Sequence, residues 1–188
     1  MRNIAIFGSG SGTNAENIIN FFSRGDSICV AVVLSNKKEA GIHARAQKFG
    51  VPSLYFSPAE FREGTLIVEI LAGYQVDFIV LAGFLPLVSP VIIDAFPNRI
   101  INIHPALLPK FGGKGMYGHY VHEAVVAAKE TQTGITVHYV NERYDEGAVI
   151  FQAVCEVLPD DTAEDVEKKV HALEYAYYPR VIEQLLNE

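Results

Sequence analysis

"NIAIFGSGSGTN", residues 3–14, sets a strand-like apolar run against a glycine-rich loop whose last residues open a helical pattern. Strand, glycine loop and helix form the first unit of a βαβ fold, and the following residues keep its rhythm. "AENIINFF" has helical spacing and "ICVAVVLS" reads as a strand buried on both faces. "AGIHARAQKFG", "SLYF", "SPAEFREGTLIVEILAGY", "VDFIVLAG", "SPVIIDAF" and "RIINI" carry the alternation to residue 103. Ser57-Pro58-Ala59-Glu60 predicts a capping box with proline in the first turn, Ser89-Pro90 a similar start, and Gly50 a helix stop. The expected fold class is α/β: a mostly parallel twisted sheet, Rossmann-like, flanked by helices on both faces. Ligands of such sheets lie beyond the carboxyl ends of the strands.

After residue 105 the pattern changes to a glycine-rich loop, a helix over His119 to Lys129, strands "GITVHYV" and "AVIFQAVCEV", and a long helix from about Thr162. Thr162 and Asp165 form a cap-like pair there, and Pro179 is expected to kink or interrupt the helix. No linker-like stretch divides the 188 residues, so a single domain over 1–188 is expected, its halves meeting at residues 100 and 101. The apolar runs stop well short of the ~20 residues of a membrane span, and the first residues enter a strand rather than a signal peptide. A soluble, cytoplasmic protein is expected. The net charge of −7, with Lys and Arg scattered, argues against a nucleic-acid surface but not against a small phosphorylated ligand. Cys29 and Cys155 lack CxxC spacing and read as buried free thiols.

The loop after the first strand can aim the backbone N–H groups of Gly10 to Asn14 at an anion, beside the positive end of the helix dipole. The plainer alternative is a tight turn that needs glycine only for its dihedrals. A dinucleotide is disfavoured because the third glycine of the fingerprint falls at Thr13. Where an acid would hold the ribose diol, the second strand ends in Ser35-Asn36-Lys37-Lys38. These features speak against NAD more strongly than against NADP. No GxxxxGK[ST] is present, and a monophosphate is the economical reading.

"NIHPALLPKFGG", residues 102–113, places Asn102 and His104 on one strand face, with Pro105 ending the strand just beyond. A buried structural histidine is one reading; a reactive pair at the sheet's carboxyl edge is the other. Such an imidazole and amide can both donate to an oxygen that is gaining negative charge, and a carboxylate would hold the imidazole cationic. Glu142, Asp145 and Glu146 in "NERYDEGAVI" are candidate acids that spacing does not separate. His119 and His122 have metal-ligand spacing but no HExxH or third ligand, and read as surface residues or as support behind the site. His43 reads as a helix-surface residue; His138 lies in a strand whose neighbours are not defined by the sequence, and it is a candidate to enter the site.

Taken in order along the chain, "GSGSGTN", "VLAGF", "INIHPALLPKFGG", "TGITVHYV" and "DEGAVI" resemble the phosphoribosylglycinamide formyltransferases that use 10-formyltetrahydrofolate in purine biosynthesis. The Asn-x-His-Pro-x-Leu-Leu-Pro stretch with a downstream Asp-x-Gly is shared with methionyl-tRNA formyltransferases and formyltetrahydrofolate hydrolases. The Gly12-Thr13-Asn14 loop favours the ribonucleotide enzymes, and no additional domain of those relatives is expected.

The resemblance implies a Rossmann-like formyltransferase fold with a phosphate-binding half, 1–100, and a catalytic, folate-binding half, 101–188. It implies Asn102, His104 and Asp145 as the catalytic trio. Gly12, Thr13, Asn14, His171 and Glu174 would hold the glycinamide ribonucleotide. Arg62, Leu85, Pro86, Leu87, Val88, Val140, Asn141 and Tyr144 would lie against the folate. It also implies a cis Leu108-Pro109 bond, no metal, and a monomer or weak homodimer. The chain departs from the family where "AGFLPLV" replaces the usual "AGFMRIL", so Pro86 removes an N–H and a basic side chain. Its "FGGKGMYG" loop is longer and richer in glycine than the commonest form, and the region around Arg62 is shorter. The rival readings are a formyltetrahydrofolate hydrolase or other folate-dependent formyltransferase, a non-enzymatic nucleotide-binding module, and a scaffold without a site.

Overall fold

The structure is a computed structural model and describes residues 1–187. Its strands are β1 (Arg2–Phe7), β2 (Ile28–Ser35), β3 (Ser53–Tyr55), β4 (Phe78–Leu81), β5 (Ile100–His104), β6 (Gln132–Tyr139) and β7 (Val149–Glu156). They form one sheet in the order β3-β2-β1-β4-β5-β6-β7. The pairs among β1 to β5 are parallel, and β6 and β7 add on antiparallel. The helices are α1 (Thr13–Phe22), α2 (Gly41–Lys48), α3 (Pro58–Glu63), α4 (Thr65–Gly73), α5 (Pro90–Ala95), α6 (His119–Ala127) and α7 (Ala163–Asn187).

Strand alternation sends Ile4, Ile6, Val33 and Val80 to one face, where they pack with Ala15, Ile18, Ile42, Val125, Val166 and Tyr178 of α1, α2, α6 and α7. Ala5, Phe7, Val32, Leu34 and Ile79 point to the other face, against Phe61, Ile67, Leu71 and Ile92 of α3, α4 and α5. Burial on both faces accounts for the near-continuous apolar strands.

The expected capping box is present: the Glu60 N–H donates to Ser57 Oγ at 3.3 Å and the Ser57 N–H to Glu60 Oε2 at 2.6 Å. Thr162 and Asp165 bond reciprocally before α7. The single helical pattern read over residues 57–74 divides at Gly64, whose φ of 78° ends α3 and begins α4. Ser89 precedes α5, but its hydroxyl donates to the Arg62 carbonyl instead of capping the helix. Pro179 does not interrupt α7. The N–H it lacks would have served the Tyr175 carbonyl, and that carbonyl accepts from Asn17 Nδ2 at 3.0 Å. Cys29 and Cys155 are free thiols, half-buried rather than enclosed. Among the described residues no helix is long and apolar enough to cross a membrane.

Candidate active site

Strand order reverses between β1 and β4, so the segments leaving their carboxyl ends diverge and leave a crevice. A cleft of about 580 Å³ occupies this edge. Gly10 to Asn14 line it after β1, Leu81 to Val88 after β4, and Asn102 to Pro105 at the end of β5.

The first wall is the glycine loop. Gly12 has φ 78° at the α1 N-terminus, and a Cβ there would lie 2.5 Å from the Ile42 Cα, so turn and packing both demand glycine. Gly10 differs: nothing lies within 4 Å of where its Cβ would be, and its bare backbone faces the cleft. No side chain caps α1, which leaves its first N–H groups for an anion. Ser9 is structural, its hydroxyl donating to Asn36 Oδ1 at 2.7 Å and accepting from the Leu85 N–H at 3.1 Å.

The second wall carries the polar strand end. Antiparallel register sets Asn102 opposite His138 and His104 opposite Thr136. The His138 Nδ1–H donates to the Tyr139 carbonyl at 2.9 Å, so its Nε2 accepts from Asn102 Nδ2 at 3.2 Å and one amide hydrogen of Asn102 stays free. His104 is only 3% exposed. Its Nε2–H donates to the Phe111 carbonyl at 2.7 Å, and its Nδ1 lies 3.6 Å from Asp145 Oδ2. Asp145 also faces His138 Nε2 at 3.6 Å and accepts from the Gly113 N–H at 2.9 Å.

Burial pushes the His104 pKa down, and this outweighs the opposing effects of the Asp145 charge and the Phe111 carbonyl. Burial thus works against the cationic imidazole expected from the sequence, while the Asp145 carboxylate and the Phe111 carbonyl favour it. With Nε2–H held by Phe111, a proton can be added only at Nδ1, on the Asp145 side. Burial raises the Asp145 pKa, but the neighbouring His138, the His104 charge and the Gly113 N–H together leave it below its usual value.

At a third corner, Glu174 Oε2 accepts from Asn14 Nδ2 at 2.8 Å and pairs with His171 Nδ1 at 2.7 Å. The fourth wall is apolar. Leu85, Pro86, Leu87, Val88, Val140, Asn141 and Tyr144 all line the cleft. Some of its backbone donors are absent or spent: Pro86 has none, the Val140 N–H goes to the Ile100 carbonyl and the Arg143 N–H to Asn141 Oδ1. Arg62 does not line the cleft. It lies in the last turn of α3, and its carbonyl accepts from the Ser89 hydroxyl.

Thus Gly12, Thr13, Asn14, Asn102, His104, Asp145, His171 and Glu174 share one cleft, together with every apolar-wall residue named from the sequence except Arg62. His138, open to the site in the sequence reading, joins them, and Glu167 and the segment Gly113 to Gly118 do so unforeseen. His122 also lines the cleft and is buried, contrary to a surface reading, because α6 packs against α7. His43 is half-buried and bonded to Ser53 Oγ at 2.6 Å. The Leu108-Pro109 bond is cis. Among the described residues no group of three or more His, Cys, Asp or Glu is placed to hold a metal ion.

The family model described as formyl transferase matches residues 2–182. The chain belongs to the formyl transferase family. Among formyl transferases, this chain is 37% identical over 191 residues to phosphoribosylglycinamide formyltransferase of Bacillus subtilis, covering 99% of itself and 95% of that protein. It is 39% identical over its whole length to the chloroplastic phosphoribosylglycinamide formyltransferase of Arabidopsis thaliana, and it spans 66% of that relative's length. The crystal structure of glycinamide ribonucleotide transformylase 1 from Symbiobacterium toebii superposes with a TM-score of 0.91 at 37% identity, covering all of this chain and 88% of that one.

Proposed function

We propose that the protein transfers a formyl group from 10-formyltetrahydrofolate to the amine of glycinamide ribonucleotide, acting as one formyltransferase domain. A single observation carries the reading. A backbone anion cradle at Gly10 to Asn14, the Asn102, His104 and Asp145 cluster, and an apolar wall from Leu85 to Val88 open on the same cleft. The cradle suits a phosphate, the cluster suits acyl transfer to an amine, and the wall with Val140 and Tyr144 suits a flat heterocycle. When bound, the folate supplies an activated formyl carbon.

The chain's own groups do the rest. Asn102 offers its free amide hydrogen to the formyl oxygen. His104 takes a proton at Nδ1 and gives a second donor as negative charge builds on that oxygen, which supplies the stabilisation that burial withholds from the cation in the free protein. Asp145, kept ionised, favours that protonation, accepts the proton shed by the attacking amine and passes it through water to the folate nitrogen, which leaves as its bond to the formyl carbon breaks and the oxyanion collapses. The amine's ordinary pKa is near ~8, so it needs little activation. One oxyanion donor is worth about 3 kcal/mol. Gly10, Thr13 and Asn14 hold the phosphate, and Glu174 and His171 the sugar.

Incubating the protein with glycinamide ribonucleotide and 10-formyltetrahydrofolate, and weighing the product by mass spectrometry, tests the reading. Formylated ribonucleotide is the expected product. Loss of formyl from the folate in the absence of ribonucleotide would mark a hydrolase, and ribonucleotide binding without turnover a binding module.

A further inference from the structure

His122 has no part in the transfer chemistry, yet it is built into the wall of the cleft. Its side chain is 1% exposed, and its Nδ1 is enclosed without a hydrogen-bond partner. Enclosed polar nitrogens are costly to leave unpaired, and His122 lines the cleft, so a small adjustment of the wall when a ligand binds would let that ligand complete it. Asn14 Oδ1, elsewhere in the wall of the same cleft, is likewise enclosed and unpartnered. Its amide nitrogen is already spent on Glu174. Both bonds made to Glu174 fall on Oε2, and Oε1 carries neither.

His122 lies on α6, which packs against α7, and Glu167, His171 and Glu174 of α7 line the same cleft. Asn14 bonds Glu174 there, so His122 is on the α7 side of the cleft with the Asn14 and Glu174 corner. Burial lowers its pKa, which favours the neutral imidazole with one donor and one acceptor nitrogen. A sugar running from the phosphate cradle towards the trio must pass this corner, and its hydroxyls both donate and accept.

Building on the ribonucleotide reading, we propose that His122 is a specificity-determining residue that hydrogen-bonds a ribose hydroxyl of the acceptor substrate, completing with Asn14 and Glu174 a site that selects ribo- over deoxyribo-substrates. The test compares wild type, His122→Leu and His122→Asn, each checked by thermal unfolding. The substrates are glycinamide ribonucleotide and its 2′-deoxy and 3′-deoxy analogues. His122→Leu should raise KM for the ribonucleotide about tenfold, with kcat and the folate KM little changed. His122→Asn, which keeps a polar group near Nδ1, should recover part of the loss. With one deoxy analogue, wild type and His122→Leu should become equal. An equal penalty on all three substrates, or an equal rise in the folate KM, would show a merely structural histidine and overturn the proposal. So would unchanged KM in an active enzyme. Absence of ribonucleotide binding by wild type would instead remove the underlying functional reading, and this proposal with it.

Discussion

At the scale of single residues, the site depends on which nitrogen of His104 carries the proton. Nε2–H is committed to Phe111, so catalysis reads the state of Nδ1 beside Asp145. His104→Ala should lower kcat at least ~100-fold while the ribonucleotide dissociation constant stays near the wild-type value. Stopped-turnover rates and calorimetric titration check this together, and a near-normal rate would remove His104 from the mechanism. His171 makes a different prediction. Its bond to Glu174 raises its pKa, so the folded state holds the proton more tightly than the unfolded state. The resulting stability is present below the unfolded value of ~6.5 and is lost as pH rises through the raised folded value. His171→Gln should therefore lower the melting temperature more at about pH 6 than at about pH 9. Strand alternation alone placed Asn102 and His104 together on one face. It did not select Asp145 from Glu142 and Glu146, because that choice depends on a loop in which Asp145 itself takes φ 58°. His138 was left open for a related reason: its position opposite Asn102 is a matter of register between residues 36 apart in sequence.

At the scale of elements, the glycine loop separates two demands that sequence reading had left entangled. Gly12 serves the turn and the approach of Ile42, whereas Gly10 meets neither need. Gly10→Val should weaken ribonucleotide binding at least ~10-fold with little change in stability, since its side chain would enter the cleft and not the core. Gly12→Val should lose both affinity and stability. Titration calorimetry and thermal melts on the pair distinguish the cradle from the turn, and unchanged affinity in Gly10→Val would refute the phosphate assignment. Periodicity revealed most of the helices and strands, down to the Ser57 capping box. It missed the break at Gly64 because glycine is tolerated inside helical patterns, and only the chain's change of direction makes it a boundary. Of the two outcomes expected at Pro179, interruption does not occur, and its missing hydrogen bond is made good by Asn17 from another helix. The compensation is tertiary, beyond the reach of local pattern.

At the scale of the whole molecule, α7 joins the two halves. It packs on α6, β6 and β7 in the second half and on α1 in the first. Tyr178 crosses the core, fully buried, to donate to the Leu81 carbonyl at 2.8 Å. Tyr178→Phe leaves that buried carbonyl without its donor and should cost about 1–3 kcal/mol. Urea unfolding should show a lower midpoint with an unchanged m-value, as expected for a loss of stability without a change in compactness. The overall α/β class was legible because burial on both sheet faces writes itself into the strands; the antiparallel addition of β6 and β7 was not, since local pattern leaves strand direction open. The same helix has a bearing on synthesis. Asn14, Asn17 and Leu81 emerge from the ribosome long before Glu174, Tyr175 and Tyr178, the groups that satisfy them. The earlier-made residues must therefore wait, incompletely sealed, until the last helix is translated, and nascent-chain protease protection should rise only at that late stage.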